Sequence, residues 1–349
     1  MVKYKIGVWG QFGDGGKIAD GQAVRTTIIT RELVNRYGEE AVSVLNTNKW
    51  MKNPFIFLWQ SYNLIKESQY ILIAPADNGF KVFVPILTFL NSFVHHDLIY
   101  IVIGGFLPKL LDKHPVYIRM INQFKGIFVQ TANLKKDLEI RNIQNLYILS
   151  NLKNMQPLSD KDLIINSSNQ IKVCYFSRVN KEKGIEDAIE AIKIANKRLG
   201  EDYVTMDVYG LIQDYYKDIF AQLLKDNSSI IQYNGIIKFD ETVNILKKYF
   251  CMLFPTYYYG EGFPGCVVDA YYSALPIIAT DWLYNTDVIK DGYNGLIVPI
   301  KSPDAIADAI IKLYNDRKSH LEIRKNNLLE SNQYRPDKVL KSLYNILDK

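Results

Sequence analysis

Cysteine is scarce, with three residues in a chain of 349: Cys174, Cys251 and Cys266. They are widely spaced and the first two sit inside apolar runs. This excludes a disulfide framework and a metal-binding spacing, and suits buried small apolar residues in a reducing cytoplasmic setting. Long apolar runs are also missing. The most apolar segment, residues 80–94, contains Lys81, Pro85 and Asn91. It falls short of the ~20 apolar residues a membrane span needs, so any membrane contact is expected to be peripheral, on the inner face. The opening MVKYKIGVWG alternates like a strand and does not read as a signal peptide. No basic run is interleaved with base-stacking aromatics in a recognisable module, so nucleic acid is not an expected partner.

What is present describes a large globular chain. Hydrophobic residues make up 48% and charged residues 23%, and the length suits two domains of roughly 150 to 200 residues. The net charge of +5 is unevenly shared: residues 1–150 hold 17 Lys and Arg against 11 Asp and Glu, and residues 151–349 hold 25 against 26. A basic first half points to an anionic surface such as a membrane or a phosphorylated lipid, with chance asymmetry on a solvated surface as the alternative.

Short β-branched apolar runs alternate with helical patterns, which predicts parallel sheets with crossover helices. Strands are expected at 3–9, 42–45, 70–73, 98–103, 126–129 and 146–149, then at 171–176, 204–209, 230–233, 251–254, 276–279 and 296–298. Helices are expected at 22–37, 131–140, 185–198, 240–249, 264–273 and 303–315, with Thr131 or Asn133 as a cap. Residues 151–170 are polar, lack an apolar period and read as a linker. The expected architecture is α/β, two doubly wound Rossmann-like domains facing across a cleft, with ligands at the C-terminal ends of the strands.

Three constellations could carry chemistry. GQFGDGGKIADG follows the first strand, and its glycines, Gly15 and Gly16 among them, would let backbone N–H groups approach an anion. Its spacing fits neither the dinucleotide nor the Walker pattern, and Ile18 after Gly16-Lys17 leaves no hydroxyl for magnesium. FSRVNKEKG puts Arg178 and Lys183 in a loop after a strand, where guanidinium and ammonium groups can hold phosphate or simply be solvated. In FPTYYYGEGFPGCVVDAYYSALPIIATD, Pro255 ends a strand and Pro264 opens a helix. Glu261 therefore lies on the loop and Asp269 in the second helical turn, with a helix N-terminus between them.

These stretches, with Tyr209-Gly210 and DGYNGLIV, resemble in order and spacing the retaining glycosyltransferases of family 4, whose fold is called GT-B. The resemblance covers most of residues 171–300 and is looser over 1–150. It implies that Arg178 and Lys183 hold a nucleotide diphosphate and that Glu261 is the catalytic residue, contacting the donor sugar near the reacting centre. Asp269 takes the place of the family's second Glu, at the ribose. Gly210 and the backbone N–H groups of Gly262, Phe263 and Gly265 would line the donor. The family often places a histidine near the sugar; here the turn IVIGGFLPK has Gly104-Gly105 instead, and no histidine is assigned.

By the same resemblance, residues 1–150 bind the acceptor, 171–330 bind the donor, and 331–349 form a C-terminal helix packing back on the first domain. The expected activity is metal-independent, cofactor-free transfer of a hexosyl unit from a UDP-sugar to a saccharide or polyprenyl-diphosphate-linked acceptor in bacterial polysaccharide synthesis. Lys109, Lys113, Arg119 and Lys125, with Phe106, Leu107, Leu110 and Leu111 among them, would rest on a membrane or pack as an ordinary amphipathic helix. Alternatives are a sugar-nucleotide epimerase, a non-catalytic nucleotide-sugar binder, and a glycoside hydrolase. The last needs its two carboxylates to flank one bond at roughly 5 to 9.5 Å, for which a loop residue and one in the second helical turn are poorly arranged.

Overall fold

The computed structural model describes residues 2–12, 21–48, 50–159, 161, 163, 170–200 and 203–349. The chain forms two compact units, Met1–Asn154 with Arg335–Lys349, and Met155–Tyr334. Of the expected linker at 151–170, residues 160, 162 and 164–169 lie outside the described residues.

The first unit holds a six-stranded parallel sheet in the order β2-β1-β3-β4-β5-β6. Its strands are β1 (Tyr4–Gly10), β2 (Val42–Asn46), β3 (Ser68–Ile73), β4 (Asp97–Ile101), β5 (Gly126–Val129) and β6 (Leu146–Ile148). The helices are α1 (Gly21–Tyr37), α2 (Pro54–Glu67), α3 (Asp77–Asn91), α4 (Leu107–Lys113), α5 (Val116–Ile121) and α6 (Ala132–Glu139). Strands covered on both faces need continuous apolar runs, and Ile71 to Ala74 and Leu98 to Val102 are wholly buried. Thr131 caps α6, its hydroxyl accepting the Leu134 N–H. Arg25 of α1 is buried and donates to the carbonyls of Val102 (3.1 Å) and Leu149 (2.5 Å), which ties the helix to the ends of two strands. Burial lowers its pKa to about 9.

Phe106, Leu107, Leu110 and Leu111 are all buried. This settles the two readings of that basic segment: α4 turns its apolar side chains into the core, and they offer no membrane surface.

The second unit repeats the plan with strand order β12-β11-β10-β7-β8-β9, all parallel. Its strands are β7 (Ile171–Phe176), β8 (Val204–Tyr209), β9 (Ile231–Tyr233), β10 (Met252–Phe254), β11 (Ile277–Thr280) and β12 (Gly295–Val298). Between and after them run α7 (Ile185–Leu199), α8 (Lys217–Asp226), α9 (Thr242–Leu246), α10 (Gly265–Tyr272), α11 (Asn285–Val288), α12 (Pro303–Asn315) and α13 (Arg317–Ser331). The chain then rejoins the first unit through α14 (Pro336–Val339) and α15 (Lys341–Leu347). There Asp348 accepts from Arg36 and Tyr37, both at 2.7 Å.

Expected and observed strand ends agree to within two residues, the usual fraying of element boundaries. Strand order reverses between β7 and β10: one series runs outward through β8 and β9, the other through β11 and β12. The connections leaving those two strands therefore run on to opposite sides of the sheet, and the C-terminal ends of such a strand pair are where ligands bind in folds of this kind.

Candidate functional site

The two diverging loops carry the charged residues singled out from the sequence. After β7, the buried Tyr175 hydroxyl donates to the carbonyls of Arg178 (3.0 Å) and Lys183 (3.2 Å), fixing the path of the loop. The loop closes in a 3-10 turn, Lys181–Lys183, where the Asn180 side chain accepts the Lys183 N–H at 2.9 Å. Gly184 follows with φ +75°, and a Cβ there would meet the Pro255 carbonyl oxygen at 2.1 Å. Only glycine lets this loop lie directly against the one that follows β10.

Across that contact Lys183 Nζ donates to Glu261 Oε2 at 2.5 Å, with side chains only 6% and 7% exposed. Thr256 Oγ1 donates to the same oxygen at 2.9 Å. Glu261 Oε1 has no hydrogen bond among the described residues, so one carboxylate oxygen is anchored and the other is open. An ammonium has three donors. One is spent on Glu261, and the group also lies over the rings of Tyr258 (5.1 Å) and Phe254 (5.6 Å). A buried ion pair of this kind contributes little net stability, yet fixes two charges in place. Arg178 is exposed, its guanidinium over the Tyr258 ring at 5.3 Å.

Beyond Glu261 the chain turns through Gly262 and Phe263 to Pro264, the cap of α10. The backbone N–H groups of Gly262 and Gly265 donate to no group among the described residues. They leave donors and the positive end of the helix dipole at the loop. Pro264 has no N–H to add. Phe263 contributes only backbone here, because its ring is buried against Tyr334 at 5.2 Å. Asp269 is buried in the second turn of α10. Burial is the main cause that pushes up the pKa of the Cys266 thiol, with the Glu261 and Asp269 carboxylates adding to the rise and Lys183 opposing it.

The structure thus brings Lys183, Glu261, Gly262 and Gly265 to one place, with Arg178 beside them through the shared Tyr258 ring and Asp269 one turn into α10. Gly210, at the end of β8, has φ +138°, and a Cβ there would meet the Ser177 carbonyl oxygen at 1.8 Å. Its bareness lets the β7 loop pass. Gly15 and Gly16 lie outside the described residues.

Sequence reasoning missed three supports. Thr256 accepts the Tyr258 N–H at 3.2 Å while it holds Glu261. Thr280, on β11, donates to the Thr256 carbonyl at 2.5 Å. Trp282 Nε1 donates to the Tyr258 carbonyl at 2.8 Å, pinning the same turn. Thr256 sits directly after the strand-ending Pro255, where a hydroxyl most easily reaches the loop, and that placement was its only signal.

Two doubly wound sheets with a charged, glycine-lined turn at a switch point define the class: the fold is GT-B, a two-domain Rossmann-like α/β fold. Over its whole length the chain is similar to the crystal structure of Anabaena HepE in complex with UDP, with a TM-score of 0.77, 15% identity and 99% of each chain covered. Sucrose-phosphate synthase from Thermosynechococcus elongatus aligns with a TM-score of 0.75 and 13% identity, again over 99% of each chain.

At the level of sequence, residues 160–329 match the family model of glycosyl transferases group 1. The match lies within the second unit. An uncharacterized glycosyltransferase of Methanocaldococcus jannaschii is 27% identical over 231 residues, covering 64% of this chain and 57% of that protein. The chain thus spans a little over half the length of this relative.

Proposed function

We propose that the protein is a retaining, metal-independent hexosyltransferase that uses a nucleotide-diphosphate sugar, UDP-linked by preference, as donor. The observation that carries this is the buried Lys183–Glu261 pair, held at the point where strand order reverses, beside a helix N-terminus. Such a site has positive groups for a leaving diphosphate and one carboxylate oxygen open toward a sugar. The UDP held by the Anabaena relative favours a uridine donor.

In this reading the bond from the anomeric carbon to the diphosphate breaks, and an acceptor hydroxyl bonds to the same face of the sugar as its proton passes to the departing diphosphate. Arg178, Lys183 and the α10 N-terminus neutralise the diphosphate, a preorganised electrostatic role. Glu261 Oε1 orients the sugar and faces the positive charge that develops at the anomeric carbon. Asp269 serves the ribose, and Gly210 and the Gly262, Phe263 and Gly265 amides line the donor; residues 1–150 are the proposed acceptor-binding part. The acceptor is a saccharide or a polyprenyl-diphosphate-linked saccharide, and the setting in bacterial polysaccharide synthesis is carried over from the family resemblance.

The test is to incubate the protein with UDP-, GDP- and ADP-sugars in the presence of EDTA, with and without saccharide acceptors. Transfer to an acceptor, or slow release of the nucleotide without one, supports the reading. Epimerised donor, or binding without turnover, supports an epimerase or a binding protein instead.

A further inference from the structure

The two cations of the proposed donor site share one aromatic ring, and that ring is itself fixed by its neighbours. Tyr258 lies in the loop between β10 and α10. Its amide donates to Thr256 Oγ1 at 3.2 Å, and its carbonyl accepts from Trp282 Nε1 at 2.8 Å and from the Glu261 N–H at 3.1 Å. The Tyr259 ring packs on it with centroids 5.0 Å apart. A Cβ on Gly260 would meet the Tyr258 ring at 2.7 Å. Gly260 does not take a left-handed conformation, so its backbone would accept alanine and the ring is what a side chain there would displace.

The two cations depend on this ring to different degrees. Lys183 lies 5.1 Å from its centroid but is also anchored by Glu261 and lies over Phe254. The Arg178 guanidinium lies 5.3 Å from the same centroid and is exposed, and its side chain makes no ion pair and no hydrogen bond among the described residues. A long side chain left to solvent keeps most of its rotamers, and a ligand that uses it removes that freedom on binding. The electron-rich face of a tyrosine attracts a guanidinium and narrows its choices beforehand.

The charges fit this arrangement. Two cations against the single Glu261 carboxylate leave one positive charge in excess around the ring, a field that favours an anion. The Tyr258 hydroxyl has no hydrogen-bond partner among the described residues, so the ring face is the part of the side chain that is engaged.

We propose that Tyr258 is a positioning residue: its ring holds Arg178 beside Lys183 before the nucleotide arrives, so that both meet the diphosphate in place. The inference rests on the donor reading above and goes beyond it, because it gives a role to an uncharged side chain that acts through Arg178 and not through its own hydroxyl.

The experiment is titration calorimetry of the full chain with UDP, comparing the wild type with Tyr258→Phe, Tyr258→Leu, Arg178→Ala and Tyr258→Leu/Arg178→Ala. Tyr258→Phe keeps the ring face and is expected to bind as the wild type does. Tyr258→Leu is expected to weaken UDP binding about 3- to 30-fold, the size of a cation–π contact. Most of that loss should vanish when Arg178 is already alanine, which a merely structural role of Tyr258 would not produce. Gly260→Ala keeps the ring but drives it aside, and is expected to lower affinity several-fold; it decides the question if Tyr258→Leu folds poorly. The proposal is overturned if Tyr258→Leu and Gly260→Ala, shown to be folded, bind UDP as the wild type does. It is overturned equally if Tyr258→Phe loses as much as Tyr258→Leu, or if Tyr258→Leu costs the same affinity with and without Arg178. Arg178→Ala separates this from the donor reading. If that variant binds UDP as tightly as the wild type, the diphosphate lies elsewhere and the donor reading falls together with the proposal; if it binds more weakly while Tyr258→Leu does not, the proposal alone falls.

Discussion

At the scale of single residues, the two basic groups of the proposed donor site are different objects. Arg178 is exposed and leans on the Tyr258 ring, while Lys183 is buried and committed to Glu261. Arg178→Ala should therefore leave the melting temperature unchanged and weaken UDP binding by roughly 10- to 100-fold, the worth of a charge-assisted bond to phosphate. Titration calorimetry checks it, and unchanged affinity would move the diphosphate elsewhere. Lys183→Ala strands a buried carboxylate and should cost about 3 to 5 kcal/mol in urea unfolding. Lys183→Ala/Glu261→Gln should cost clearly less than Lys183→Ala alone, because the charge left without a partner is gone.

The charged members of this site were legible because Glu, Lys and Arg stood in loops directly after apolar runs, where such folds bind ligands. The burial of Lys183 was not legible. It follows from a contact between two loops some eighty residues apart, and a reading along the chain cannot measure that. The membrane-facing reading of Phe106 to Leu111 failed for a related reason. A periodic apolar stripe shows that a helix has a face to cover, and which surface covers it is set by the fold.

At the scale of elements, glycine decides whether the site exists. Gly184 holds a left-handed conformation against the Pro255 carbonyl. Gly184→Ala should lower stability by about 3 kcal/mol or more, from backbone strain and from the loops being pushed apart. Its measurable signature is loss of UDP affinity together with stability, and a variant as stable as the wild type would show that the loops have room to spare. The twelve strands among the described residues were legible as short apolar runs; the central ones are covered on both faces and need them, while the edge strands β2, β6 and β9 are partly exposed. The exposed start of α2 was not legible, because Phe55, Ile56 and Trp59 interleaved with buried Phe57 have no helical period to read.

At the scale of the whole molecule, one buried histidine gives the second unit a pH limit. His320 of α13 stacks on Phe250, with ring centroids 4.2 Å apart, and donates through Nε2 to the Phe250 carbonyl at 2.9 Å. Burial is the main cause that lowers its pKa from 6.5 to about 4, with the positive charges of Arg324 and Arg317 adding to the fall. The unfolded chain then takes up a proton that the folded one refuses. The stability from keeping His320 neutral is full above about pH 6.5 and is lost as pH falls toward 4, a swing of about 3 kcal/mol. Urea unfolding of the wild type and His320→Gln at pH 7 and pH 4.5 checks this: the stability difference between the two should narrow at the lower pH, and a constant difference would contradict it.

The central claim is that Glu261 touches the reacting sugar, and the most direct measurement is turnover of the Glu261→Gln variant with whichever nucleotide sugar the donor panel selects. Gln keeps the size of the side chain and an oxygen for Lys183 while removing the negative charge. The account predicts a fall in turnover of roughly 10²-fold or more with nucleotide affinity little changed. Turnover close to that of the wild type, in a variant shown to be folded, would contradict it.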